Sequence, residues 1–518
     1  MGKFHWGKKA CAVALLCVST PIALPAQSFT PLHSGSITPV VPNETIPLPA
    51  QTFTMLHSFD DADGAWPYWA LVQATDGNLY GVTPSGGTYG YGTVFKITPS
   101  GALTTLHSFC SGSGCPDGAG PEAGLVQAAD GSLYGITVNG GAYGAGTVLK
   151  ITLSGTLTTL QSFDYTDGSG PYTALVQATD GNFYGTTCCG GANGVGTVFN
   201  LTPSGTLTTL YSFCSQSGCT DGRYPYGGLI QSSDGNLYGT TTEGGANGDG
   251  TIFKITSSST LTTLYTFCSQ GGCTDGANPY AGLVQATDGN LYGTTYDGGA
   301  YNNGTVFEIS PSGTLTTLYS FCSQSGCTDG RYPYAALIGA TDGNLYGTTR
   351  YGGANASGTV FKITPEGTLT TLYSFCSQSG CADGAYPYAG LVQNTNGKFY
   401  GITCGAFCGG GTGGYGTVFS VSVGLGPFVE TQPTSGWVGA AVRILGTNLT
   451  GATTVMFNGH AAVFTVVSSS LITTTVPAGA TTGPVEVLTS AGRLLRSSVP
   501  FQVPPGFSPE STGGEERE

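Results

Sequence analysis

The chain has 518 residues, of which 8% are charged and 86 are glycine, and its formal net charge is −14. Lysine and arginine form no cluster beyond the extreme N-terminus, which argues against a surface for nucleic acid or anionic membranes. The 39% of hydrophobic residues supply enough apolar surface to offset chain entropy, so the glycine content does not imply disorder.

The N-terminus has the pattern of an export signal, with Lys3, Lys8 and Lys9 before the apolar run ACAVALLCV and the segment STPIALPA after it. The apolar run is too short to span a bilayer, and no later segment is long and apolar enough to do so. We therefore predict a signal peptide over residues 1–26, a proline-rich linker over 27–51, and a secreted or cell-surface location without a membrane span.

A phrase close to DGNLYG occurs seven times, with successive copies 54 residues apart except for one step of 50. The copies begin at Asp76, Asp130, Asp180, Asp234, Asp288, Asp342 and Asn396. Each unit contains four short runs of β-branched and aromatic residues, such as GLIQ, NLYGTT, TIFKIT and LTTLYTF. A period of this size is typical of solenoids and propellers. We predict an all-β chain with a seven-bladed β-propeller over residues 52–424, made of four-stranded blades.

The two ends of the repeat region are complementary. The run FTMLHSF at residues 53–59 is a fourth strand without its unit, and the seventh unit has three strands but no fourth. We therefore expect the N-terminal strand to complete the last blade and to close the ring.

The loops from the fourth strand of one unit to the first strand of the next have two lengths, and four extra residues occur only where a cysteine pair occurs. Disulfides are expected in an exported chain, whereas the spacing does not suit zinc. The predicted disulfides are Cys110–Cys115, Cys214–Cys219, Cys268–Cys273, Cys322–Cys327, Cys376–Cys381 and Cys404–Cys408. Adjacent Cys188 and Cys189 are compatible with a vicinal disulfide or with two thiols.

Each of these loops contains an aspartate followed by glycine. The seven aspartates are Asp63, Asp117, Asp167, Asp221, Asp275, Asp329 and Asp383. They could form a ring that binds calcium or a polar ligand, or each could cap its own turn. Sevenfold repetition favours the structural role, and we expect no other cofactor.

A Pro-Tyr pair follows in six of the seven loops, and Glu122 replaces the tyrosine in the second. We expect these tyrosines to pack between blades, and we expect ligands at the residues around them. The candidate ligand-binding residues are Trp66, Tyr68, Trp69, Arg223, Tyr224, Arg331, Tyr332 and Tyr386. Flat rings with little charge suit sugar rings, so an extracellular polysaccharide is one expected partner and a cell-surface protein is the other.

Evidence for catalysis is weak, because no nucleophile–base pair or metal motif stands out. An acidic pair acting as a glycosidase or lyase is the alternative function, and Glu122 is the first residue to test. We expect a monomeric, non-catalytic binding protein.

The phrase LTTLYSF…DGxxPYAGLVQATDGNLYGTTYxGG…GTVFKITPSG resembles the GloVer family of extracellular tandem repeats over about residues 52–423. The resemblance implies a secreted, propeller-like protein and no established activity. Residues 427–503 resemble an IPT/TIG domain, which implies an immunoglobulin-like sandwich that acts as a spacer or partner-binding module. The remaining residues, 504–518, are predicted to be a flexible acidic tail.

Overall fold

The structure is a computed structural model that describes residues 51–403 and 410–504. The predicted signal peptide, nearly all of the linker, the Cys404–Cys408 pair and the tail from residue 505 lie outside the described residues. The described chain consists of β-strands joined by loops and a few short 3₁₀ turns. No helix in this part of the chain is long and apolar enough to cross a membrane.

The propeller strands are numbered along the chain. The first is β1 (Thr52–Ser58). Blade 1 contains β2 (Val72–Gln73), β3 (Leu79–Thr83), β4 (Thr93–Ile97) and β5 (Leu103–Ser108). Blade 2 contains β6 (Val126–Gln127), β7 (Leu133–Thr137), β8 (Thr147–Ile151) and β9 (Leu157–Ser162). Blade 3 contains β10 (Val176–Gln177), β11 (Phe183–Thr187), β12 (Thr197–Leu201) and β13 (Leu207–Ser212). Blade 4 contains β14 (Ile230–Gln231), β15 (Leu237–Thr241), β16 (Thr251–Ile255) and β17 (Leu261–Thr266). Blade 5 contains β18 (Val284–Gln285), β19 (Leu291–Thr295), β20 (Thr305–Ile309) and β21 (Leu315–Ser320). Blade 6 contains β22 (Ile338–Gly339), β23 (Leu345–Thr349), β24 (Thr359–Ile363) and β25 (Leu369–Ser374). Blade 7 contains β26 (Val392–Gln393), β27 (Phe399–Thr403), β28 (Thr417–Ser422) and β1.

Each blade is an antiparallel sheet of four strands, which confirms the predicted four-stranded units. In blades 1 to 6 the neighbouring strands are consecutive in the chain, and in blade 7 the N-terminal strand β1 lies beside β28. The first strand of every blade is shorter than predicted, with only two paired residues. The residues before that strand belong to the loop instead. The second and third strands are almost wholly buried, as in β3 and β4. They read as continuous apolar runs because the blades cover both of their faces.

Ring closure occurs as predicted. β1 pairs antiparallel with β28, from Thr52 opposite Ser422 to Ser58 opposite Thr417. The ring of Phe53 stacks on Tyr373 of the preceding blade, with centroids 3.8 Å apart. The N-terminal strand therefore joins the first part of the propeller to the last without a covalent bond.

Glutamines on the first strands add hydrogen bonds between adjacent blades. The backbone N–H of Thr395 in blade 7 donates to Gln73 Oε1 in blade 1 at 2.8 Å, and Gln73 Nε2 donates to Thr395 Oγ1 at 2.9 Å. In the same way, the backbone N–H of Thr75 in blade 1 donates to Gln127 Oε1 in blade 2 at 2.9 Å. In blade 6, Gly339 occupies the glutamine position, so this junction with blade 5 lacks the side chain.

The C-terminal region is a sandwich of two four-stranded antiparallel sheets, which confirms the immunoglobulin-like prediction. One sheet has the order β29 (Glu430–Gln432), β30 (Ala441–Leu445), β34 (Leu471–Thr475) and β33 (Phe464–Val466). The other has the order β32 (His460–Ala462), β31 (Ala452–Phe457), β35 (Val485–Thr489) and β36 (Leu494–Arg496).

The sandwich contacts the propeller at the tight turns between first and second strands. Arg443 donates to the backbone carbonyls of Ala128 and Ala129, and Ser470 Oγ donates to the carbonyl of Thr75 at 2.9 Å. Because strand directions alternate in a blade, these turns lie on the face opposite to the cysteine-containing loops. The sandwich contacts described here therefore leave the loop face uncovered.

Candidate functional site

The residue before each loop proline has a left-handed backbone in all seven units. In the loop into blade 4 this residue is Tyr224, with φ 57°, and in the loop into blade 1 it is Trp66, with φ 59°. Its N–H donates to a carbonyl of the preceding blade, as from Tyr224 to Val195 at 2.9 Å. Left-handed backbone is uncommon for bulky residues. These bonds hold it in place, and they direct the following Pro-Tyr toward the propeller axis.

Six tyrosines from the Pro-Tyr pairs meet ring to ring around that axis. Their order is Tyr172, Tyr226, Tyr280, Tyr334, Tyr388 and Tyr68, and we call this set the tyrosine ring. The successive centroid distances are 5.5, 5.9, 4.9, 5.2 and 5.2 Å. Each contact joins two adjacent blades, and such aromatic pairs contribute about 0.5–1.5 kcal/mol each. The rings are nevertheless only partly buried.

Glu122 occupies the seventh position of the ring, in the gap between Tyr68 and Tyr172. Its side chain forms no ion pair with any described residue. Burial raises the pKa of the Glu122 carboxyl above its ordinary value. Burial and the neighbouring Glu122 charge together raise the pKa of Tyr172 to about 12, so that its hydroxyl stays protonated and can donate a hydrogen bond.

The tyrosine ring encloses a cavity of about 480 Å³ that is open on the loop face. The residues that line it are Tyr68, Trp69, Glu122, Tyr172, Tyr224, Tyr226, Thr242, Glu243, Tyr280, Tyr334 and Tyr388. Thr242 is 2% exposed, and its Oγ1 has no hydrogen-bond partner among the described atoms. A volume of this size fits a small polar molecule or one or two units of a longer one.

Arginines lie at the edge of the cavity on one side. The guanidinium carbon of Arg350 is 4.1 Å from the ring centroid of Tyr388 and 4.9 Å from that of Tyr351. The guanidinium carbon of Arg331 is 5.9 Å from the same Tyr351 centroid. The stacking is a cation–π interaction, which holds the guanidinium planes in fixed positions.

The two predicted arginines, Arg223 and Arg331, have different neighbours. Arg223 Nη2 forms an ion pair with Glu243 Oε2 at 2.8 Å, and the two side chains are about 40% exposed. The backbone contact that brings them together is the bridge between residues 223 and 243. In blade 6 the same bridge places Tyr351 opposite Arg331, so no carboxylate is supplied.

The seven aspartates lie away from this cavity, at the outer strands. Asp221 is fully buried and accepts hydrogen bonds from the Tyr211 hydroxyl at 2.8 Å and from the Ser215 N–H at 2.9 Å. Asp63 and Asp117 accept instead from His57 and His107, at 2.7 and 3.0 Å. The carboxylates therefore cap their own loops and do not converge on a common ligand. Calcium binding by them stays a prediction.

Five of the predicted disulfides are present in the structure. They are Cys110–Cys115, Cys214–Cys219, Cys268–Cys273, Cys322–Cys327 and Cys376–Cys381. Cys188 and Cys189 are not bonded, although their Sγ atoms lie 2.6 Å apart. Burial, with Cys189 beside it, raises the pKa of the Cys188 thiol. The five disulfides are consistent with an exported protein.

The cavity contains some of the predicted ligand-binding residues and omits others. Tyr68, Trp69, Tyr224 and Glu122 line it, and Arg223 reaches it through Glu243. Trp66, Arg331, Tyr332 and Tyr386 are not among its lining residues. The Pro-Tyr tyrosines contact one another across blades, as expected, and all six also line the cavity, whereas only Tyr68 among them was a candidate ligand-binding residue.

Two further lining residues, Thr242 and Glu243, were not predicted. They come directly after β15, at a position where the units differ from one another. That variability within otherwise uniform repeats is the feature of the sequence that could have identified them.

The Gloeobacter/Verrucomicrobia repeat model matches residues 45–127, 114–274 and 269–465, and the IPT/TIG domain model matches residues 428–503. Among curated proteins, none matches the chain.

Several solved structures are similar in fold. Two are described as extracellular domains of hybrid two-component systems from B. thetaiotaomicron, each with 12% identity and with TM-scores of 0.47 and 0.46. The match covers 85% and 88% of this chain but only 54% and 59% of theirs. A periplasmic gluconolactonase from Pseudomonas aeruginosa is 20% identical, with a TM-score of 0.40 over 59% of this chain and 84% of that chain. Likenesses at this level say nothing about activity.

Proposed function

The chain belongs to the Gloeobacter/Verrucomicrobia repeat family and carries an IPT/TIG domain, and we propose that it is an exported, non-catalytic protein that binds extracellular carbohydrate. The binding site in this proposal is the cavity inside the tyrosine ring. The predicted signal peptide and the five disulfides support export.

The observation that carries the proposal is the tyrosine ring itself. Six partly exposed aromatic rings face one cavity of about 480 Å³. Sugars bind where flat aromatic rings cover their C–H faces and polar groups reach their hydroxyls. The tyrosine hydroxyls, Thr242 Oγ1 and the Glu122 carboxylate supply donors and acceptors of this kind.

Thr242 strengthens this assignment because its buried Oγ1 has no hydrogen-bond partner among the described atoms. A buried polar atom without a hydrogen bond costs free energy, which a ligand that supplies the bond recovers. An apolar ligand would leave this hydroxyl unpaired. A ligand with several hydroxyl groups would pair with it and with the partly exposed Glu122 carboxyl.

The cavity also contains the acidic residues of the alternative function, a glycosidase or lyase. A raised Glu122 pKa suits a general acid, but a glycosidase needs a second available carboxylate. Glu243, the other carboxylate that lines the cavity, forms an ion pair with Arg223. The geometry therefore favours binding over turnover.

The test is a glycan-array screen of the purified protein, followed by calorimetric titration of the best ligands. We expect Trp69→Ala and Tyr280→Ala each to weaken binding at least about tenfold, a change of roughly 1.4 kcal/mol. The matched control is Tyr143→Ala, since Tyr143 is 62% exposed and is not a cavity-lining residue. Equal loss in all three variants would place the ligand elsewhere.

The same ligands should be incubated with the protein and assayed for new reducing ends and for unsaturated products. The binding proposal expects neither. Turnover that Glu122→Gln abolishes would replace it with the enzymatic alternative.

A further inference from the structure

Blade 6 carries two positive charges that nothing in the described chain neutralises. Neither Arg331 nor Arg350 forms an ion pair with a described residue. Among the described arginines, only Arg223 and Arg496 form an ion pair with a carboxylate.

The loop into blade 4 has the same sequence, but its arginine is neutralised by a carboxylate. Residues 211–226 and 319–334 have identical sequences, and the N–H of Arg223 and of Arg331 each donate to the facing loop, at 2.8 and 2.9 Å. The facing residue is Glu243 in blade 4 and Tyr351 in blade 6. Arg331 therefore lacks an ion pair because of the residue that faces it, and not because of the sequence of its own loop.

The two unpaired guanidinium groups share an aromatic neighbour. Arg331 and Arg350 both contact the Tyr351 ring, with guanidinium-to-centroid distances of 5.9 and 4.9 Å. Their Nε atoms are buried without a hydrogen-bond partner among the described atoms, and so is the Nε of Arg223. What distinguishes Arg331 and Arg350 from Arg223 is therefore the absence of a carboxylate partner.

The cluster adjoins the cavity. Arg350 stacks on Tyr388, which is a member of the tyrosine ring and lines the cavity. Tyr296 stacks on Tyr332, with centroids 4.9 Å apart, and its ring edge meets Tyr334 of the tyrosine ring at 6.0 Å. A molecule that occupied the cavity could extend over Tyr388 to both guanidinium groups.

We infer that the carbohydrate of this site is anionic, and that Arg350 and Arg331 bind its acidic group while the tyrosine ring holds the sugar. This inference rests on the proposed function. Planar guanidinium groups bind carboxylates and sulfate esters through paired hydrogen bonds, and uronic acids and sulfated sugars both present such groups. Glu122, across the ring, would face the hydroxyl groups of the same ligand.

The experiment is calorimetric titration of the full chain with oligosaccharides of galacturonate, glucuronate and mannuronate. Each is compared with its carboxyl-reduced form, in which the carboxylate has become a primary alcohol, and with a sulfated form of that reduced oligosaccharide. We expect at least one anionic form to bind tenfold or more tightly than its neutral counterpart. The better of the uronate and sulfated forms identifies the acidic group.

The outcomes separate the two proposals. Neutral forms that bind as tightly as anionic ones would overturn the inference and leave carbohydrate binding intact. If no form bound, and no glycan on the array bound, both proposals would fall.

Variants test the residues. Arg350→Gln and Arg331→Gln should each lose at least tenfold in affinity for the anionic ligand. The matched control is Arg493→Gln, which should change it less than threefold, because Arg493 is exposed, unpaired among the described residues and not a cavity-lining residue. Arg350→Lys should give an intermediate loss, because lysine keeps the charge but not the paired donors. Equal losses in Arg493→Gln and Arg331→Gln, with unchanged thermal melts, would contradict the assignment.

Discussion

The two loops with the sequence YSFCSQSGCTDGRYPY, residues 211–226 and 319–334, fold alike but lie in different electrostatic surroundings. In both, the aspartate is fully buried, and the residue before the proline is left-handed, with φ 57° at Tyr224 and 55° at Tyr332. They differ in what the facing loop supplies, which is Glu243 in one and Tyr351 in the other. The repeated sequence therefore determines the shape of the loop, and the variable neighbour determines its charge.

The largest effect should come from the aspartate that the two loops share. Asp221→Ala and Asp329→Ala each leave a tyrosine hydroxyl and loop N–H groups without an acceptor. We expect each to lower the free energy of unfolding by about 3 kcal/mol, since buried donors to a charged group lose their partner. Urea unfolding of the two variants measures this, and the losses should agree. A loss in one copy only would show that the loops are not equivalent.

The disulfides should contribute less. Replacing Cys214 and Cys219 by serine, or Cys322 and Cys327, removes a bond between cysteines that are only five positions apart in the sequence. The expected loss is about 2 kcal/mol, because short loops gain least from cross-linking. The comparison is between the two double variants under the same urea titration. A loss above that for the aspartate variants would mean that the disulfides, and not the aspartates, hold these loops.

Tyr351→Glu should convert the blade 6 environment into that of blade 4. The new carboxylate would pair with Arg331, and stability should change by less than about 1 kcal/mol because such pairs are partly exposed. Affinity for an anionic oligosaccharide should fall about tenfold, measured by calorimetry. The control is Tyr351→Gln, which removes the ring without adding charge. Unchanged affinity in Tyr351→Glu would show that Arg331 does not contact the ligand.

The smallest change in stability is expected for substitution of Glu122, on the opposite side of the tyrosine ring. Its pKa is raised in the folded protein by burial, so its contribution to stability is present below the unfolded pKa and is lost as pH rises through the folded pKa. Glu122→Gln should therefore be more stable than the parent at neutral pH, by roughly 1 kcal/mol or less. Thermal melts from pH 3 to 8 check this, and the difference should vanish at the acidic end. A constant difference across that range would exclude titration of Glu122 as its cause.

Much of the fold could be predicted from the sequence because the information is local and repeated. Seven copies of DGNLYG define the blades, and the unmatched run around Phe53 predicts how the ring closes. The position of the Pro-Tyr tyrosines around the axis could not be predicted in the same way. It depends on hydrogen bonds between blades, such as that from Tyr224 to Val195.

Which arginine of the site is ion-paired could not be predicted from the sequence, because the pairing also depends on contacts between distant residues. Arg223 and Glu243 are 20 residues apart in the chain and meet only because two loops of one blade cross. The sequence RYPY is the same around Arg223, which is ion-paired, and around Arg331, which is not. The variable residues after the second strand of each blade, including Glu243, Arg350 and Tyr351, carry that information once the blade is built.

The most direct test of the account is a crystal structure of the protein with an oligouronate that it binds. We expect sugar rings inside the tyrosine ring, packed against its aromatic faces, with a carboxylate on Arg350. A ligand bound outside the cavity, or one inside it whose acidic group does not contact Arg350 or Arg331, would contradict it.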